Sequence, residues 1–479
     1  MICRAAPVSA RWPPNSDGAD NAARQSCGSI GIVGQNRVKA TVLAAYSAPC
    51  LPLAAAGLPF VVYLPPYYSG PLGLSLSVVG LLFLMVRLID VPLDPIVGHI
   101  IDRTTTRFGR YRPWVAGSAV MMVAGIALVF YAPPGLSPLR AFIGLLVMYV
   151  GYSTLQLAQT AWGATLSDDY HERSRVFGWW QMANVLGMVM MLMVPPLVAQ
   201  FTPDNNHSAG IHAMGALVLV LLPLAVLAML RIVPERAVIG GHAHRLRDMV
   251  AVLKIPLLRR LMVIDFLVAL AAGMAGALLM FFFEAARGFT PAQSSLLLLI
   301  YFIAGLLAAP VWVALSRRIG KHRTLMLSLI IYALFQASLL FLPRGTFTLT
   351  AVAMALAGLP YAAAALLLRS MLADLSDAET VRTGHQRTGL FFATLIAVSK
   401  LGYALAVGLT YQVLDAIGFV AKLGEANTPD AVSGLVFMFA APPAVLLAIA
   451  AALTARWPIN AEQQARIAAE LAARVNQPG

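Results

Sequence analysis

Twelve stretches of about 20 or more mostly apolar residues recur along this chain. They lie near 40–65, 75–101, 113–132, 139–166, 175–200, 210–233, 259–284, 291–315, 323–343, 347–373, 388–414 and 433–455. A helix of about 20 residues crosses the hydrocarbon core of a bilayer. Only helices and closed barrels satisfy every backbone polar group there, and these runs are too long and too evenly apolar for barrel strands. The expected fold is therefore an all-α polytopic membrane protein. Composition agrees: 11% of the 479 residues are charged, against about 25% in soluble domains.

Between and around the spans the sequence divides the chain. Residues 1–36 are rich in Pro, Ser, Gly and Asn and are expected to form a disordered tail; they lack the 7–15-residue apolar core of a secretory signal. A first six-helix bundle is expected over 37–233, a cytoplasmic linker over 234–258, and a second bundle over 259–456. A tail over 457–479 carries a short amphipathic helix. Cys3, Cys27 and Cys50 fall in or near the first segment and form neither a metal pattern nor a disulfide framework.

The net charge of +13 is topological and does not point to nucleic acid. Of 34 Lys and Arg, 28 fall in segments on one side of the membrane. Four lie on the other (Arg140, Arg287, Arg344, Lys422), and Arg87 and Lys400 sit within spans. Cytoplasmic loops collect Lys and Arg, so both termini are expected in the cytoplasm. The surplus also suits anionic lipid. "RFGRYR" at 107–112 and "RIGKHR" at 318–323, 211 residues apart, follow the second and eighth spans. Two pseudo-symmetric halves are the pattern of a duplicated transporter.

"VRLIDVPLDPIVGHIIDRTTTRFGRYRP" (86–113) places Arg87, Asp90 and Asp94 on one helix face, because residues three and four apart are neighbours. Each charge at mid-membrane costs about 2.5–3.5 kcal/mol, and such residues mark ion or substrate pathways. Pro92 and Pro95 remove the amide donors that would bind the carbonyls of Leu88 and Val91, giving further oxygens for a cation. Lys400, in the apolar run of span eleven, brings the set of four to zero charge and is expected to bridge the halves. The plainer readings are a salt bridge within one helix and a lysine that snorkels to the headgroups. Asp265, near the start of span seven, is expected to meet water or a cytoplasmic loop. No nucleotide loop or metal-ligand cluster is present, and no cofactor is expected.

The run "RLIDVPLDPIVGHIIDRTTTRFGRYRPW" resembles the second helix and following loop of the glycoside–pentoside–hexuronide:cation symporters, the melibiose-carrier-like branch of the major facilitator superfamily. "LSDDYHERSRVFG" (166–178) and "ADLSDAETVRTGHQRTGLFFATLIAVSKLG" (373–402) resemble its loop after helix four and its region through helix eleven. The resemblance runs from about 40 to 455. It implies the major facilitator fold, twelve helices in two six-helix bundles. It also implies cation binding and coupling by Asp90, Asp94 and Lys400, with Arg87 beside them. A cytoplasmic gate would be formed by Gly98, Asp102, Arg103, Gly109 and Arg110. Charges at 168–175, Asp169, Arg173 and Arg175 among them, and at 374–387 would complete it.

Two departures from that family matter. Ala54 and Ala158 stand where melibiose-type members use acids to hold sugar hydroxyls, and the basic residue of helix five falls near Trp180 or Gln181. Gln156, Gln159, Thr160 and Trp162 remain as candidate solute contacts, or as hydrogen-bonding glue between helices. Leu93 stands where sodium-using relatives often place an amide. A hard cation wants several oxygens and a proton wants one carboxylate, so a proton is favoured over sodium. The expectation is cation-coupled symport of a small glycoside-like or organic solute by a monomer in the bacterial inner membrane. A lysolipid or amphipath symporter is the alternative. An intramembrane prenyltransferase is more remote: "DVPLD" superficially matches its magnesium-binding acids, but "DLSD" (374–377), in an expected loop, is wrongly spaced for the second motif.

Overall fold

The computed structural model describes residues 37–166, 170–201, 207–235, 254–383, 388–455, 457–458, 463 and 466. The expected tail 1–36, linker residues 236–253 and nearly all of the 457–479 tail lie outside them. The helices are α1 (Ala40–Ser47), α2 (Cys50–Val62), α3 (Leu64–Ser69), α4 (Leu76–Arg103), α5 (Arg112–Phe130), α6 (Pro138–Ala164), α7 (Tyr170–Ala199) and α8 (His207–Ile232) in the first half. The second half has α9 (Pro256–Phe281), α10 (Pro291–Ile319), α11 (Lys321–Ser338), α12 (Phe347–Gly358), α13 (Tyr361–Thr383), α14 (Thr388–Ala416) and α15 (Pro429–Ala455). Among the described residues they make twelve candidate membrane spans. The described residues from Ala40 onward form one compact unit.

Local chemistry sets the helix starts. Ser75 and Ser137 cap α4 and α6 by accepting from the amides of Val78 and Arg140. Thr290 and Gln293 form a reciprocal capping box on α10, with Pro291 in its first turn, where a missing N–H is harmless. Helix α4 runs unbroken through Pro92 and Pro95; in a bundle, neighbouring groups serve the freed carbonyls. After the second span of each half the chain turns at a glycine of positive φ, Gly109 at +111° and Gly320 at +89°. The repeat seen in the sequence thus keeps a positive-φ glycine, although the first connection spans 104–111 and the second is Gly320 alone.

Three expectations are corrected. The charged stretch 374–383, expected as a loop, continues α13 by more than two turns, because its polar residues leave the bilayer end while the backbone ladder persists. The second half begins at Pro256, inside the expected linker. Arg369, counted with the basic-side residues although the expected span 347–373 includes it, lies on α13 about one turn before Asp374.

The halves meet through α4 and α14. Gly80 lies against Tyr411 and Gly408 against Leu84, small residues that let two helices approach closely. Toward the face opposite the basic loops, Tyr63 Oη donates to Ser295 Oγ (2.9 Å) and Gln412 Nε2 to the Ser77 carbonyl (3.0 Å), each bond joining one half to the other. Toward the basic face, Gly98 looks onto open space. The ion pairs there, Glu172–Arg175 (2.7 Å), Lys321–Asp374 (2.6 Å) and Glu379–Arg382 (2.5 Å), each join residues of one half. Two hydrogen bonds among the described residues thus cross between the halves toward the far face, where a cavity of about 790 Å³ is lined by residues of both halves, among them Tyr67, Glu284 and Lys422.

Candidate functional site

Midway along α4, Asp90 is fully buried. Its Oδ1 accepts from Ser153 Oγ of α6 at 2.6 Å. Its Oδ2 accepts from Lys400 Nζ of α14 at 3.1 Å and from Arg87 at 3.4 Å. Lys400 also donates to Asp94 Oδ2 and to Ser153 Oγ, the latter at 3.1 Å. All three ammonium protons are thereby used. The Arg87 guanidinium lies 4.3 Å from the centre of the Tyr149 ring, a cation–π contact strengthened by desolvation. Asp94 Oδ1 is buried and has no hydrogen-bond partner. Arg87, Asp90, Asp94 and Lys400, named from sequence, stand together as one neutral cluster, with a lysine of the second half held by two acids of the first. Removing one member of such a buried set costs about 3–5 kcal/mol.

The candidate solute contacts separate. Trp162 is fully buried; its indole donates to the Pro234 carbonyl at 3.1 Å and its ring stacks on Tyr111. Gln159, also fully buried, donates to the Tyr46 carbonyl (2.8 Å) and to Cys50 Sγ (3.1 Å). Both fasten helices of the first half to one another and face no open chamber. The Thr160 hydroxyl is spent on the Gln156 carbonyl at 2.7 Å. Gln156 and Trp180 are half-buried, Gln181 is exposed, and the Trp180 carbonyl accepts from Asn184. Ala158 is fully buried and offers no polar group.

The gate candidates are spread along the basic face. Arg103 is exposed at the end of α4. The amides of Arg110 and Tyr111 donate to Glu235 Oε1, the second at 2.7 Å. Gly109 sits against that carboxylate, leaving no room for a Cβ. Arg175 is held by Glu172 of its own helix. Asp169 lies outside the described residues, as do the side chains of Asp102 and Arg173.

Several residues of the site carried no sequence signal. Ser153 and Tyr149 stand in an apolar run where Ser and Tyr are unremarkable. Asp265, expected near water or a loop, is instead buried, its Oδ2 accepting from Ser399 at 2.5 Å.

Comparison with known proteins now has a site to bear on. The sequence profile of the MFS/sugar transport proteins matches residues 45–461. The uncharacterized symporter YnaJ of Bacillus subtilis is 25% identical over 400 residues, covering 81% of this chain and 85% of that protein. The isoprimeverose transporter of Lactiplantibacillus pentosus is 24% identical over 377 residues, covering 75% and 77%. The crystal structure of the nucleoside transporter NupG matches with a TM-score of 0.65 at 15% identity, over 88% of this chain and all of that one, which shows a shared fold. These relatives are transporters, and the prenyltransferase reading falls away. The chain belongs to the MFS/sugar transport family and is a multi-pass membrane transporter.

Proposed function

We propose that this protein is a proton-coupled symporter that carries a small glycoside-like solute by alternating access. It works as a monomer in the bacterial inner membrane, with both termini cytoplasmic. One observation supports this above the rest: Lys400 of the second half is shared by Asp90, Asp94 and Ser153 of the first, and Asp94 keeps one buried oxygen without a partner. A proton delivered to Asp94 neutralises it and removes the strongest hold on the ammonium. The remaining bonds to Asp90 and Ser153 then let α14 shift against α4, and access to the chamber alternates between the two faces. Solute and proton enter together and leave together. A proton suits this site better than sodium, because a hard cation gathers several oxygens. Here Asp90 has both oxygens engaged and Leu93 offers none.

The relatives' names accord with symport and with sugar-type cargo. The test uses proteoliposomes under an imposed pH gradient, with labelled monosaccharides and methyl glycosides as probes. Wild type accumulates solute and a protonophore abolishes the accumulation. Asp94→Asn retains exchange across equal concentrations and loses accumulation by tenfold or more. Full gradient-driven accumulation by Asp94→Asn overturns the coupling role.

A further inference from the structure

A third acid stands near the interface cluster without belonging to it. Asp265 on α9 is buried, and its Oδ2 accepts from Ser399 Oγ at 2.5 Å. Ser399 is the residue before Lys400 on α14. Across the interface Ser153 donates to Asp90 at 2.6 Å and accepts from Lys400 at 3.1 Å. Two acid–serine pairs therefore accompany one ammonium, Asp90–Ser153 from the first half and Asp265–Ser399 from its own. The first pair has Arg87 and Lys400 as counter-charges. Asp265 has no ion-pair partner among the described residues, although Arg369 on α13 acts on it electrostatically. An acid at membrane depth is costly and as a rule functional.

The two attachments of α14 at this level differ in kind. Toward α9 small residues bring the backbones together. A Cβ on Gly402 would stand 3.0 Å from the Phe266 carbonyl oxygen, and one on Gly273 would stand 2.6 Å from the Ala406 Cβ. Asp265 lies one turn before Ala269, which also packs on Gly402. Toward α4 the hold is side-chain charge, Lys400 on Asp90 and Asp94. Helices packed backbone to backbone move together, whereas an ion pair is undone by one proton. Lys400 and Asp94 keep 15% and 18% of their side chains exposed and Asp90 keeps 1%, so a proton from water meets the Lys400–Asp94 contact first. When α14 leaves α4 it takes α9, and with it Asp265, along.

We propose that Asp265 is the alternate partner of Lys400: once Asp94 takes a proton, the ammonium turns from the acids of the first half to the carboxylate of its own. Neighbouring side chains on a helix point about 100° apart, and the flexible four-carbon stem of a lysine can swing its charge through that angle. Ser399 holds the carboxylate beside the residue that needs it. An ammonium inside the membrane with no partner is strongly unfavourable. A waiting acid removes that penalty from the released state, so that proton uptake and release of α14 from α4 become one event. Asp265 is thus a positioning residue that acts through Lys400. The inference rests on the coupling reading above and names a residue that reading does not use.

A double-mutant cycle tests this without solute or gradient, on purified full-length protein in nanodiscs read by Tm. Asp94 and Asp265 share no bond in this structure, and residues without a common partner contribute additively. In the Asp94→Asn background Lys400 depends on Asp265, so Asp265→Asn should lower Tm at least about twice as far as it does in wild type. Equal shifts in the two backgrounds overturn the inference. So does coupling of Asp265→Asn to Arg369→Gln and not to Asp94→Asn, which would make Arg369 the partner.

The pH profile of uptake, with whichever labelled methyl glycoside wild type accumulates, is the second readout. Asp265 faces Arg369 on α13 and Ser399 and Tyr403 on α14. Of the other helices packed on α9, α2 bears no charge and α15 only Asp430, at its far-side end. Arg260 of α9 itself donates to the Leu453 carbonyl. In Asp265→Asn a proton on Asp94 leaves the ammonium without its second carboxylate. Half-maximal accumulation should therefore move to more acidic pH by about one unit, a tenfold loss of apparent proton affinity. Asp265→Glu keeps the carboxylate and should return the profile toward that of wild type. Ser399→Ala keeps every charge but frees the carboxylate, and should move the profile the same way by less, so the inference stays testable if Asp265→Asn does not fold. An unmoved profile in both Asp265→Asn and Ser399→Ala overturns it. An additive cycle together with lost accumulation in Asp94→Asn overturns this inference alone and leaves the coupling role of Asp94 in place.

Discussion

After the second span of each half stands a glycine of positive φ, Gly109 within the loop 104–111 and Gly320 as a one-residue break, and the two turns are anchored differently. The first is held by Glu235, whose carboxylate takes the amides of Arg110 and Tyr111 and lies 4.0 Å from the Arg112 guanidinium. The second is held by an ion pair, Lys321 to Asp374 of α13 at 2.6 Å, with Lys321 36% exposed. The same division holds inside the membrane. The first half contributes two acids to a cluster completed by Lys400, whereas the second half keeps Asp265 for a bond to its own Ser399. Both halves keep a positive-φ glycine after the second span, while the length of the connection and the group that anchors it differ.

The largest effect is expected at the point where the halves share charge. Lys400→Met leaves Asp90 and Asp94 with Arg87 alone and should destabilise the folded protein by about 3–5 kcal/mol, read as a fall in Tm. Adding Asp90→Asn and Asp94→Asn to it should restore much of the loss. If Lys400→Met melts like wild type, the cluster does not hold the halves together. Next in size are the turn glycines. Gly320→Ala should cost about 1–2 kcal/mol for its left-handed backbone alone, since the nearest side-chain atom stands 3.8 Å from the new Cβ. Gly109→Ala should cost more, because its Cβ also displaces Glu235. Equal losses would erase the difference between the anchors. The anchors themselves should differ from one another, and the smallest effect belongs to the second. Glu235→Ala should cost about 1–3 kcal/mol, as the amides lose a largely buried partner. Asp374→Asn should cost under about 1 kcal/mol, a loss that 1 M salt reduces further, because Lys321 is well hydrated.

Much of this was legible before any fold was known. The twelve spans could be read because crossing a bilayer is a local requirement, met by each segment from its own composition. Arg87, Asp90, Asp94 and Lys400 could be read because a charge in an apolar run is costly and needs a reason. Trp162 and Gln159 could not be placed. A large polar-tipped side chain on a membrane helix serves a cavity or a helix contact equally well, and only the neighbours at Pro234 and Cys50 decide. The apolar end of α13 misled because a helix does not stop where hydrophobicity stops.

The sequence by itself determined the number of spans, the repeat and the presence of unpaid charge within the membrane, since these follow from residue type and spacing along one chain. Only the tertiary structure decided which charges meet. Asp90 and Lys400 are 310 residues apart, and electrostatic energy depends on distance in space. The same holds for Asp265 and Ser399, 134 residues apart, which meet only when α9 packs on α14. Ser153, an ordinary helix residue by its letter, became the hinge of the cluster because folding set its hydroxyl between an acid and an ammonium.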